Sequence, residues 1–153
     1  MISVWVDRES VAMGDDVESH EVKWEFDDHA CPGDVLDRVI ESRYLASVAG
    51  EVSWVMSVGR FDVQAHEGYT SVRGVATHAA AVLNVPYRGE PKVIVLSTYS
   101  LTQPFVSSPQ LAVADRTWAV EFLYSAGGAV QSVGGFRKWL YEDEARRRAI
   151  TAS

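Results

Sequence analysis

Residues 21–27 read Glu-Val-Lys-Trp-Glu-Phe-Asp, and no other stretch of the chain restricts its own conformation so tightly. Val22, Trp24 and Phe26 share a face only if the backbone is extended, because successive side chains of a strand point to opposite sides. The opposite face carries Glu21, Lys23, Glu25 and Asp27, so the strand has one dry side and one wet side. Ile2, Val4 and Val6 repeat the pattern against Ser3 and Trp5. The two strands predict a hairpin whose long polar connection, Asp7 to Ser19, has its turn signal at Met13-Gly14-Asp15-Asp16.

A dry sheet face needs a cover, and the next segment supplies one. Pro32 suits the first helical position, since its missing N–H would have been unpaired there. Cys31 stands at the N-cap and Asp34 at N3, where a carboxylate complements the helix dipole. Leu36, Val39, Ile40 and Tyr44 fall on one stripe, predicting a helix from about Pro32 to Tyr44. Val52 to Val58 is rich in β-branched and aromatic residues. Gly59-Arg60 reads as a tight turn, and Phe61 to Gln64 alternates again. Residues 1–66 therefore read strand, strand, helix, strand, strand, the element order of a β-grasp half-roll.

The second half is read as mixed. Val72, Val75, Ala76, Ala79, Val82 and Leu83 have helical spacing, with Asn84 and Pro86 as the stop. Lys92 to Tyr99 contains a continuous apolar run that fits a strand covered on both faces. Residues 110–125 admit two readings. Ser108-Pro109 opens a helix carrying Leu111, Asp115, Trp118 and Phe122, or Trp118, Val120, Phe122 and Tyr124 alternate as a strand; the start leans to helix. After Gly134-Gly135, Phe136, Trp139 and Leu140 form an apolar stripe. Glu142/Arg146, Asp143/Arg147 and Glu144/Arg148 are i,i+4 pairs in the favoured orientation, predicting a C-terminal helix. The expected class is α+β: a β-grasp-like N-terminal half packed with a mixed C-terminal half. The chain is read as one compact domain, 1–153, with 1–66 and 67–153 as its candidate subdomains.

Composition narrows the function. The 153 residues are 47% apolar and 23% charged, enough to bury a core without a metal or disulfide. Cys31 is the sole cysteine, so no intrachain disulfide forms and a reducing compartment is favoured. The N-terminus has no basic leader and meets Asp7 after a few apolar residues, so the expected location is cytoplasmic. No apolar run approaches a membrane span. The net charge of −7 is not spread evenly: residues 1–34 hold ten acids against two bases, while the remainder holds eleven against twelve. An acidic N-terminal part argues against nucleic acid and against an anionic membrane as partners.

The clusters that resemble chemistry fall short of a signature. Asp28, His29 and Cys31, with His20 or His66, contain metal-ligand side chains but match no zinc spacing, and no metal or cofactor is expected. Asp27 to Cys31 reads better as a strand-to-helix corner. A thiol at a helix N-terminus has nucleophile potential, and His29 stands close in sequence, yet no triad pattern accompanies Cys31. The loop from Asp7 fails the EF-hand pattern, having Val11 and Ala12 where an oxygen ligand and a glycine belong. Gly127 to Gly135 is glycine-rich but lacks the Lys-Ser/Thr of a phosphate loop. His66 and His78 have no telling carboxylate spacing apart from Glu67. Arg146–Arg148 pair with acids one turn earlier. Trp5 and Trp24 read as core rather than as binding anchors.

With no catalytic residue assigned, the leading expectation is a non-enzymatic interaction or accessory protein of the immunity type. Its binding surface would be the acidic hairpin bearing Asp7, Glu9, Asp15, Asp16 and Glu18, and its partner a basic protein. The alternative is a small-molecule (anion) binding protein or enzyme with a pocket between the halves. A third is a structural subunit pairing edge to edge through Lys92–Tyr99 or Ile2–Val6.

Overall fold

The computed structural model describes residues 1–9, 20–45, 52–86 and 89–125. They form a mixed α/β structure dominated by one curled, six-stranded sheet. In chain order the elements are β1 (Ile2–Arg8), β2 (Val22–Phe26), α1 (Pro32–Glu41), β3 (Val52–His66), β4 (Tyr69–Val85), β5 (Lys92–Val95), α2 (Thr98–Thr102) and β6 (Thr117–Ser125). The strands lie in the order β2-β1-β6-β3-β4-β5. All neighbours are antiparallel except β1 and β6, which run parallel with Val4 opposite Trp118.

The first face follows from the alternation. Ile2, Val4 and Val6 of β1, Trp54, Met56 and Val58 of β3, and Trp118, Val120 and Phe122 of β6 form one buried cluster with Val35, Leu36 and Val39 of α1. The helix begins as expected. Asp34 turns its carboxylate back to the Cys31 N–H (2.8 Å), satisfying a donor the helix leaves open. Arg38 lies over the Trp24 ring at 4.5 Å and donates to the Glu25 carbonyl, tying α1 to the edge strand. The helix stops at Glu41 rather than Tyr44. The Tyr44 N–H donates to Val39 O and the Arg43 N–H to Ile40 O (both 3.2 Å), a Schellman closure with Arg43 in the left-handed region at φ 53°. Tyr44 is thereby turned inward. Its hydroxyl donates to the His20 carbonyl (2.5 Å), with the Val6 carbonyl at 3.2 Å, joining the helix end to β1 and to the start of β2.

The β3–β4 hairpin departs from two sequence expectations. Gly59-Arg60 is not a turn: β3 runs unbroken through it, and the chain reverses at Glu67-Gly68. Gly59 is needed for a different reason. At φ 128° a Cβ there would sit 2.4 Å from the Ala76 carbonyl oxygen. Nor is Val72–Leu83 a helix, since it lies within strand β4. The register skips Ala80 between Met56 and Ser57, and Val75 between Arg60 and Phe61. Two extra residues in one strand break the period of two, and the apolar positions then imitate a helical spacing.

The same two bulges bend the hairpin. Its distal half folds over the second face of the sheet, where Phe61, Val72 and Val63 pack on Ala119 of β6 and Trp5 of β1. The Thr70 N–H donates to the Glu21 carboxylate (3.0 Å), beside edge strand β2. The lengths agree: the six residues from Phe61 to His66 span roughly 20 Å, and three strand spacings from β3 to β2 come to about 14 Å. β3 is buried without interruption from Val52 to Val58: Trp54, Met56 and Val58 belong to the first-face core, and Val55 to a separate cluster with Val82.

Three further corrections follow from the strand order and the elements around β5 and β6. The apolar run at Lys92 is not a strand covered on both faces. β5 ends at Val95 on the sheet edge, with Val93 and Val95 39% and 51% exposed, and the chain then enters α2. The Ala80 bulge carbonyl accepts from both Leu96 and Ser97, turning the chain there. Residues 110–125 open not with a helix but with a single 3-10 turn, Pro109–Leu111; the alternation of Trp118, Val120 and Phe122 then builds strand β6. Finally, Ile2–Val6 is no edge, since β1 pairs on both sides. The helix expected after Gly135 and the Gly127–Gly135 segment lie outside the described residues.

Candidate functional site

The parallel pairing of β1 and β6 gathers acids that are far apart in sequence. Odd-numbered residues of β1 face away from α1, as do Glu21 and Lys23 at β2 and Ala119 and Glu121 of β6. Asp7 is the register partner of Glu121. On its other side Glu21 comes next after the Val6–Val22 pair and lies close enough to act on the Asp7 charge. Glu21, Asp7 and Glu121 thus form a row across three adjacent strands on the second face, all half-buried. Burial raises the Asp7 carboxyl above its ordinary value of 3.8, and the Glu21 charge adds to this; the hydrogen bond from the Arg8 N–H, His20 and the Arg8 charge oppose it. Lys23 lies over the Trp5 ring at 5.6 Å on the same face.

Of the acids expected to form a binding surface, the structure brings Asp7 into this row. Glu9 stands just past β1, exposed, with its carboxylate accepting the Tyr124 N–H (3.3 Å), so it has a bracing role between β1 and β6. Asp15, Asp16 and Glu18 lie outside the described residues. Glu121 was missed by sequence reasoning. Its place on a second face follows from the alternation of Trp118, Val120 and Phe122, but nothing local shows that β6 inserts beside β1.

The other clusters are placed as follows. Asp28 is held by the terminal ammonium of Met1 and by Arg116, and the ammonium hydrogen bond, with Arg116 behind it, lowers its carboxyl below the ordinary value. The Asp27 carboxylate accepts the His29 N–H (2.8 Å), closing the corner before α1. Burial pushes the Cys31 thiol up, and Asp34 accepts from it at 3.3 Å, so the thiol is held protonated rather than activated. Among the described residues, no three His, Cys, Asp or Glu side chains are placed to hold a metal, and no helix is long and apolar enough to cross a membrane.

His78 Nε2 lies 2.6 Å from Ser100 Oγ, which also receives the Ser97 hydroxyl at 2.9 Å. His78 and Ser100 border a small cavity of about 110 Å³ that is also lined by Val58, Phe105, Leu111 and Trp118. A serine on a histidine invites a nucleophile reading, but no acid among the described residues orients the ring. Ser97 also accepts the Ser100 N–H as the N-cap of α2, and the trio braces that short helix against β4.

No known protein family, curated protein or solved structure matches the chain.

Proposed function

We propose that this protein is a non-enzymatic interaction protein, of the accessory or immunity type, which meets a basic protein through the second face of its sheet. The observation that carries the reading is the row Glu21–Asp7–Glu121. The Glu21 charge bears on Asp7, Glu121 stands in register on its other side, and the raised Asp7 carboxyl reflects surroundings in which a negative charge is disfavoured. Association with a lysine- or arginine-rich partner surface is steered by the excess of acids in the first 34 residues. Glu9, Asp15, Asp16 and Glu18 are the other acids proposed to meet the partner.

Two finer readings accompany it. The order β2-β1-β6-β3, with β1 and β6 parallel and α1 connecting β2 to β3, supports a β-grasp-like core extended by β4 and β5. The single cysteine favours a reducing compartment, the cytoplasm.

The test is capture from native lysate at low and high salt, with captured chains identified by mass. Wild type is compared with Glu121→Lys and with the pair Asp15→Lys/Asp16→Lys. The expected result is one strongly basic protein, retained at low salt and reduced about tenfold by high salt or by either change. A partner indifferent to salt and to both variants moves the interface elsewhere.

A further inference from the structure

The end of the sheet where β3 begins carries a second candidate, on the face opposite the acidic row. A cavity of about 340 Å³ opens between the C-terminal end of α1 and the β4–β5 connection. Its volume lies within the range of small-ligand sites. Val39, Ile40 and Leu45 line one wall, and Leu83, Val85 and Pro86 line the other. Val39, Leu45 and Leu83 are buried and belong to the main core, so the floor is apolar and held by packing on both sides.

Two charged residues line the same cavity, Arg43 and Glu90. Both are exposed. Among the described residues, neither side chain has a hydrogen bond or ion-pair partner. They do not pair with each other. One free cation and one free anion therefore border an apolar floor.

Arg43 carries a second signal. It occupies the position after the helix cap at φ 53°, where glycine is the residue that fits without strain. An arginine there holds a guanidinium at the cavity at a conformational expense that glycine would avoid. Strain of this kind points from the geometry toward a use for the side chain.

We infer that this cavity binds a small zwitterion with an apolar side chain, of the class of the large aliphatic and aromatic amino acids. The guanidinium of Arg43 donates a forked pair of hydrogen bonds to the ligand carboxylate. Glu90 accepts from the ligand ammonium. The apolar side chain lies on Ile40 and Val85, the half-buried part of the walls. No covalent step is involved. The inference does not rest on the acidic docking row, which lies on the other face.

The test is calorimetric titration of the full chain with L-leucine, L-phenylalanine and L-tryptophan. Phenylacetate, which lacks the ammonium, and phenethylamine, which lacks the carboxylate, serve as half-ligands. At least one amino acid is expected to bind roughly tenfold or more tightly than either half-ligand. Arg43→Gly removes the guanidinium while relieving the backbone. It is expected to melt at or above the wild-type temperature yet lose about tenfold in affinity, which separates lost binding from lost fold. Glu90→Gln is expected to bind phenylacetate as well as it binds phenylalanine. Absence of heat and of any melting shift with all three amino acids at millimolar concentration overturns the inference. So does unchanged affinity in Arg43→Gly, or a half-ligand that binds as tightly as the zwitterion.

Discussion

The two faces of the sheet are built by different means. The first is closed by α1, an element adjacent in sequence to the strands it covers, and its core repeats every second residue along β1, β3 and β6. The second carries two smaller apolar clusters: Phe61, Val72 and Ala119 beneath an arm of the sheet bent over at Val75 and Ala80, and Val55 with Val82 beside β5. One face is thus a continuous core. The other has its apolar side chains in separate clusters, with the half-buried Asp7, Glu21 and Glu121 on the same face.

Truncation tests this asymmetry most strongly. Phe122→Ala, on the fully buried first face, is expected to cost about 4 kcal/mol of unfolding free energy in urea. Phe61→Ala, under the arm, is expected to cost about 2 kcal/mol, because the smaller cluster relaxes more readily. Equal costs would mean that the arm is as much a part of the core as the helix.

The bend is next. Gly59→Ala places a methyl group against the Ala76 carbonyl at a backbone angle that side-chain residues avoid, and is expected to cost on the order of 2 kcal/mol. The loss should appear with loosening of the arm, read as faster amide exchange at Val63 and Val72 than at Val4. Uniform exchange across both faces would argue against an arm that opens separately.

The smallest effect has the opposite sign. Arg43→Gly places the preferred residue in the left-handed cap and is expected to stabilise by about 0.5 to 1 kcal/mol, measured by thermal unfolding. A loss of stability would show that the arginine side chain contributes packing at the helix end.

The same contrast explains what the sequence discloses. β1, β2 and the start of α1 are legible because each carries its own period and its own cap: Ile2/Val4/Val6, Val22/Trp24/Phe26, and Cys31-Pro32 with Asp34. β4 is not, because the residues inserted at Val75 and Ala80 convert a strand pattern into a helical one, and bulges have no local signature here. Gly59 announces a special backbone but not its purpose, since a tight turn and a close strand approach both call for glycine. For the candidate site, Asp7 is legible as an acid of the hairpin. Glu121 is not, since its membership depends on β6 lying parallel to β1, a pairing between segments more than a hundred residues apart.

Asp7 connects fold, charge and proposed function. Burial raises its carboxyl, so the folded protein keeps a proton that the unfolded chain has already released. Stability then falls as pH rises through that window, which starts near 3.8. Asp7→Asn should therefore melt higher than wild type at pH 7, with the advantage vanishing below the ordinary carboxylate range.

The most direct measurement is NMR titration of the Asp7 carboxyl carbon in wild type and in Glu21→Gln. The account predicts a midpoint above 3.8 in wild type and a lower one in the variant, because burial and the Glu21 charge act together on Asp7. A midpoint at or below 3.8, unmoved by Glu21→Gln, would contradict the row of acids on the second face and remove the basis for an acidic docking surface.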